Sequence, residues 1–301
     1  MRFRRALIFA GIWVMACGVA AQVTAEAQSV PPRDAVFVMN ADGTGWQKFF
    51  ELPQITKIGS PSVSPDGQYL AFDGWMSQFG ESSSDSRIFV VSAARDEFWL
   101  LGAGAMPTWG PDGRRLACSF YGGGVGFLSI NDLKTQTIDP QGWGAQWSPN
   151  GKWVVYAKGP QLWLYDIDTE QTRLAYDATG TYQSLYWNSC WSPDSRRIVF
   201  CGGRGANGRD IASVDVSGGD VQFKQHVTGK SPAQKYSWHP TAPRVVFPMH
   251  SPERGRSQLW EFNPLTDDPP KLVAGQDSET AVESGVWSPD GKLLYCTGKL
   301  R

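Results

Sequence analysis

The chain has 301 residues, 41% of them hydrophobic and 19% charged, with a formal net charge of -1. That composition excludes an intrinsically disordered chain, and it supplies no concentrated basic charge for a nucleic-acid backbone. Its 33 glycines, 20 prolines and 14 tryptophans favour many short strands joined by tight turns.

In chain order, the first element predicted is an export signal. Arg2, Arg4 and Arg5 precede an apolar run of 11 residues from Ala6 to Ala16, and small residues follow. The run is too short to span a hydrocarbon core of about 30 Å as a permanent helix. Residues 1–25 are therefore expected to be a signal peptide, with cleavage between 16 and 27, followed by a linker over 26–32. An alternative reads Val14-Met15-Ala16-Cys17 as a lipobox, with Cys17 acylated to anchor the protein. Loss of the leader removes three arginines and takes the formal charge from -1 to -4. The mature protein is expected to be periplasmic or extracellular, with no transmembrane span and no nucleic-acid partner. Cys118, Cys190, Cys201 and Cys296 remain; export permits disulfides, but a domain this large does not need them.

Residues 33–301 are built on a repeat. The copies are VSPDG at Val63, WGPDG at Trp109, WSPNG at Trp147, WSPDS at Trp191, WHPTA at Trp238 and WSPDG at Trp287. Their prolines, at 65, 111, 149, 193, 240 and 289, lie 46, 38, 44, 47 and 49 residues apart, the spacing of propeller blades or solenoid units. Pro presets the second position of a type I turn, Asp or Asn suits the third, and Gly accepts the left-handed conformation that leads into an antiparallel strand. Five and seven residues past each proline stand apolar pairs such as Leu70 with Phe72 and Ile198 with Phe200, predicted to share one face of that strand. The Trp before the turn is expected to fill the seam between neighbouring sheets.

A second hairpin follows each of the first five copies, but none follows the sixth. The missing hairpin is AVFVMNADGTGWQKFF, Ala35 to Phe50, which precedes the first copy. The halves balance if this amino-terminal hairpin pairs with the carboxy-terminal strands and closes a ring, which leaves no open edge between the ends. The fold expected is all-β, a six-bladed β-propeller closed in this way.

The repeated W-S-P-D-G-x-x-ϕ-x-F units resemble the TolB-type, WD-repeat-like six-bladed β-propeller family over essentially all of residues 33–301. The resemblance implies a recognition or scaffold protein with a protein or cell-envelope polysaccharide as partner. More divergent relatives, the oligogalacturonate lyases, imply the alternative of a polysaccharide lyase or other glycan-acting enzyme. A third alternative is a structural spacer. Two departures are expected: no α/β domain before the propeller, such as TolB has, and no domain after it.

No catalytic constellation emerges. Gly203 to Gly208 satisfies G-x-G-x-x-G, but a strand-like RDIASVDV follows where a dinucleotide site needs a helix, so a plain loop is expected. No G-x-S-x-G is present. The turn residues Asp66, Asp112, Asp194 and Asp290 fall in separate blades and serve the turns, and His226, His239 and His250 do not cluster, so neither metal nor cofactor is expected. Cys190 has no base beside it and reads as inert.

With strands A to D named outward from the axis, the repeat turn joins A to B. The B–C loops and D–A crossings then share the other face, where most loop-length variation falls. This sorts Trp75, Tyr121, Arg204, Arg209, His250, Arg254 and Arg256 with Trp143, Tyr182, Tyr186 and Trp187 onto one surface. Of these, Trp75, Tyr121, Trp143, Tyr186, Trp187, Arg204, Arg209, His250 and Arg254 are the candidate ligand-binding residues, because exposed aromatics with arginine on loops make anchors. Trp143 and Trp187 could equally cap blade seams. The residues three and five before each proline, from Ser62 with Ser60 to Val286 with Ser284, are expected to face an axial channel of small, mostly neutral character without an acid–base pair.

Overall fold

The computed structural model describes residues 33–218, 221–230 and 235–300, without the side chains of Trp187, Lys230 and Leu300. The signal peptide, the linker and Cys17 lie outside the described residues.

Six antiparallel sheets follow one another along the chain. Blade 1 comprises Lys57–Ile58 and Ser62–Val63 as a broken strand A, then Tyr69–Trp75, Arg87–Ser92 and Phe98–Ala103. Blade 2 runs Ala105–Trp109, Arg115–Phe120, Gly124–Ser129 and Thr135–Asp139. Blade 3 runs Trp143–Trp147, Trp153–Lys158, Gln161–Asp166 and Thr172–Asp177. Blade 4 runs Ser184–Trp191, Arg197–Gly203, Arg209–Asp215 and Phe223–Lys230. Blade 5 runs Ser237–Trp238, Val245–Ser251, Arg256–Phe262 and Lys271–Leu272. Blade 6 is composite: strands A and B are Thr280–Trp287 and Leu293–Leu300, and strands C and D are Asp34–Asn40 and Gln47–Phe50. The ring therefore closes as expected, through a seven-pair ladder from Asp34 opposite Lys299 to Asn40 opposite Leu293.

The repeat turn is a hydrogen-bonded unit. In WSPDG of blade 6 the Ser288 hydroxyl donates to Asp290 at 2.7 Å, Asp290 accepts the Lys292 amide at 3.1 Å, and Ser288 Oγ accepts the Leu293 amide at 2.9 Å. Ser64 with Asp66, Ser148 with Asn150 and Ser192 with Asp194 repeat the arrangement. In the fifth turn His239 Nδ1 stands in, accepting the Thr241 amide at 3.2 Å. The turn acids thus bind backbone N–H groups, which satisfies donors that would otherwise be orphaned. The last motif position has positive φ in five of the turns, including Ser195 at 58° where Ser replaces Gly.

Both members of each apolar pair on strand B are buried, from Leu70 and Phe72 to Leu294 and Cys296. The motif tryptophans 109, 147, 191 and 287 are buried between blades, and Trp191 crosses its seam to donate to Gln146 O at 3.1 Å. Arg115 lies 5.0 Å from the Trp147 ring and Arg244 lies 4.9 Å from Trp287, so cations of one blade cap the seam tryptophan of the next.

His226, on strand D of blade 4, packs on Phe262 and shares a 2.9 Å hydrogen bond with Ser213. Burial, helped by Lys224 and Arg197, lowers its pKa from the ordinary 6.5 to about 4. Between those values the unfolded chain holds the extra proton, so stability is present above pH 6.5 and drains away as the pH falls towards 4. Discounted for partial exposure, the loss is about 2 kcal/mol. Urea titrations at pH 7 and pH 4.5 should show His226→Gln losing less stability than the parent over that interval; parallel losses would contradict the assignment.

Candidate functional site

Blade 1 places its long B–C loop, containing two single 3₁₀ turns at Ser77–Phe79 and Ser83–Asp85, across the loop face. Trp75 holds that loop down: its indole N–H donates to Ser82 O at 2.8 Å, and Lys57 Nζ lies 5.0 Å from its ring. Its contacts are those of a loop brace. Beside the loop, a recess of about 510 Å³ opens between crossing residues such as Gln54 and Thr56 and loop residues such as Ser77 and Glu81.

Tyr121 and Trp143 come together although they belong to blades 2 and 3. Their rings meet edge to face at 4.7 Å, and Tyr121 remains 41% exposed. Ser83, from the blade 1 loop, hydrogen-bonds the Tyr121 hydroxyl, whose pKa burial pushes up. Three blades thus contribute to one aromatic ledge.

Blade 4 builds a second cluster. Gly202 and Gly203 leave room for Tyr182 and Tyr186, and a Cβ on either glycine would lie within 2.7 Å of the facing ring. Arg209 stacks over Tyr186 at 4.4 Å. Arg204 instead pairs at 2.6 Å with Asp210, which is fully buried and also accepts from Tyr182 Oη at 3.2 Å, Gln225 Nε2 at 3.0 Å and the Gly229 amide at 2.9 Å. A single 3₁₀ turn, Gly205–Asn207, and then strand C follow, so the glycine-rich stretch is a loop. Arg204 is thereby a structural cation, and Arg209 is the more available of the two. His250 and Arg254 are exposed on blade 5. Trp187 lies in strand A of blade 4, but its side chain is outside the described residues.

The axial channel encloses about 180 Å³. All six residues three before the prolines line it, but only Ser60, Asn188, Lys235 and Ser284 of the set five before do so. Met106 and Gly144 do not, contrary to expectation. Strands A of blades 2, 3 and 4 bulge at this position, with φ of 54° at Met106, 76° at Gly144 and 63° at Asn188. A bulge breaks simple alternation there, and of these three residues only Asn188 lines the channel.

The electrostatics also depart from the neutral channel expected. Asp73, on strand B of blade 1, reaches through the break in strand A and accepts the amides of Ser60 and Met106. Burial pushes its carboxyl up, against the field of Lys235. Burial pushes the Lys235 ammonium down, opposed first by Asp73 and then by Glu283. The inner wall therefore carries an acid and a base, each pushed by burial toward its neutral form. The visible signals were the lone acid in YLAFDGW and the Gly59-Ser60-Pro61 break before it.

A groove of about 900 Å³ lies on the turn face between blades 5 and 6, not on the loop face. Its charges satisfy one another, with Glu261 held by Arg244 at 2.6 Å and Lys271 at 3.2 Å. Among the described residues no group of three or more metal-ligating side chains occurs, and no helix is long and apolar enough to cross a membrane. The four described cysteines are free thiols, all buried.

Comparison with known proteins bears on the architecture. No family model matches the chain. Tol-Pal system protein TolB of Francisella tularensis subsp. mediasiatica (strain FSC147) is 22% identical over 266 residues, 83% of this chain and 58% of that protein. The chain thus spans little more than half the length of the curated relatives it matches. Among solved structures, a putative TolB from Agrobacterium tumefaciens superposes with a TM-score of 0.67 at 17% identity, covering 90% of this chain and 99% of that one. The fold is that of a TolB-type propeller. TolB from Acinetobacter baumannii superposes less closely, with a TM-score of 0.58 at 15% identity over 89% of this chain and 63% of that one. The resemblance carried by the W-S-P-D-G repeats and the three-dimensional likeness agree on this TolB-type architecture.

Proposed function

We propose that this TolB-type propeller is an exported recognition protein that binds a protein partner on its B–C and D–A loop face. The observation that carries the reading is the Tyr121–Trp143 ledge, assembled from three blades and partly open to solvent. Aromatic side chains on a rigid support lose little entropy on binding, and Arg209 stacked on Tyr186 adds a positioned cation to the same face. A protein partner suits relatives named for the Tol-Pal system. A cell-envelope polysaccharide is the competing occupant of the same ledge, since aromatic rings also stack on sugars.

Capture from an envelope extract tests the reading. Trp143→Ala and Tyr121→Ala should each weaken retention of a protein partner about tenfold or more, as anchor truncations do, with the melting temperature shifted little for Tyr121→Ala. Retention unchanged in both variants would remove the loop face from consideration. Binding or repeated turnover of purified glycans would transfer the site to the polysaccharide reading.

A further inference from the structure

We propose that the axial channel is a second binding site, for a small carboxylate that also carries a hydrogen-bond donor, such as a free hydroxy acid or amino acid. The space is adequate: the channel holds about 180 Å³, and a cavity of about 150 Å³ takes a benzene-sized molecule. It is also polar and chemically specific, because two of its wall groups are unmatched.

The first is Lys235. It lines the channel, yet no carboxylate of the described residues stands within ion-pairing distance of it. Asp73, its strongest electrostatic partner, has its carboxylate committed to the backbone N–H groups of Ser60 and Met106. Lys235 is partly buried, and an ammonium drawn partly out of water without a contact partner favours an anion beside it.

The second is Asn188. Only 5% of it is exposed, and the bulge that holds it at a φ of 63° presents it to the channel. Its Nδ2 donates to Ser60 Oγ at 3.1 Å, and its Oδ1 is buried without a donor. A buried acceptor left unmade is costly, so the site recovers free energy when a ligand O–H or N–H reaches it. One small molecule can meet both groups, its carboxylate on Lys235 and its neighbouring hydroxyl or amine on Asn188. The channel lining includes none of Tyr121, Trp143, Tyr186 and Arg209, so the two sites are separate.

Calorimetric titration of the purified protein with L-malate, L-aspartate and the neutral diamide of malate decides the matter. Saturable binding is expected for malate or aspartate and none for the diamide. Lys235→Gln, which loses the charge and keeps a polar end on a slightly shorter side chain, and Asn188→Asp, which places a carboxylate where the ligand would sit, should each weaken binding about tenfold or more. Circular dichroism and melting temperature report whether each variant is folded, and either folded variant suffices. Trp143→Ala should bind the carboxylate as the parent does. Equal binding of the diamide, undiminished binding in a folded channel variant, or no saturable heat from either carboxylate would each overturn the proposal.

Discussion

Deletion of residues 33–52 should abolish cooperative unfolding of the whole ring, not merely fray one blade. The segment supplies strands C and D of blade 6, and Ala35, Val36, Phe37, Val38 and Met39 within it are all buried. Phe37 and Met39 enter the core shared with Val246 and Leu259 of blade 5, whereas Val36 and Val38 enter the core shared with Phe72 and Phe89 of blade 1. One strand thus packs against both neighbours. Its four larger apolar side chains, at about 1.5–3 kcal/mol each, amount to a loss comparable with the entire stability of about 5–15 kcal/mol expected of a domain. Asp34 adds a polar latch. It is 1% exposed, accepts the Ile58 amide of blade 1 at 2.8 Å and faces Lys299 of blade 6 at 3.5 Å. The milder Phe37→Ala should cost about 3–5 kcal/mol, because Phe37 also stacks on Trp46 at 5.2 Å. A melting temperature unchanged by the deletion would refute closure by this strand.

The reason so much of this fold was legible is that each repeat carries its own turn chemistry. Ser, Pro, Asp and Gly in WSPDG each make a local bond or adopt a local conformation, so the turn, the strand after it and the buried face of that strand follow from short-range rules. Closure was legible for a different reason, the unmatched hairpin at Ala35 to Phe50. The site was less legible because its determinants are long-range. Asp73 is admitted to the inner wall by the break at Gly59-Ser60-Pro61, a relation between two strands that YLAFDGW alone does not reveal. Met106 and Gly144 miss the channel lining whereas Asn188, in the same kind of bulge, reaches it, so no local sequence rule marks the outcome. Sorting by loop did bring Tyr121 to Trp143, since topology fixes which loops are neighbours. It did not separate Arg204 from Arg209, because only the fold reveals which of two nearby arginines is spent on a buried carboxylate.

That separation yields the second large effect: Asp210→Ala should destabilise the protein by about 3–5 kcal/mol, the cost of removing one member of a buried ion pair. Three further donors lose their acceptor at once, the Tyr182 hydroxyl, the Gln225 amide and the Gly229 N–H. For a domain of this size the fall in melting temperature should be on the order of 6–15 °C. Asp210→Asn keeps an acceptor for the Gly229 amide but loses the charge opposite Arg204, so its loss should be smaller than that of alanine. Arg204→Ala should also destabilise, because it leaves the Asp210 carboxylate buried opposite no cation. Arg209→Ala should differ in kind. Its guanidinium lies over the Tyr186 ring at 4.4 Å, and truncating it should change stability by about 0.5 kcal/mol or less while weakening retention of a loop-face partner. Thermal melts and partner capture on the same four variants separate the two roles. Arg204→Ala as stable as the parent, or Arg209→Ala as damaging to stability as Asp210→Ala, would show that the assignment of structural and binding arginine is reversed.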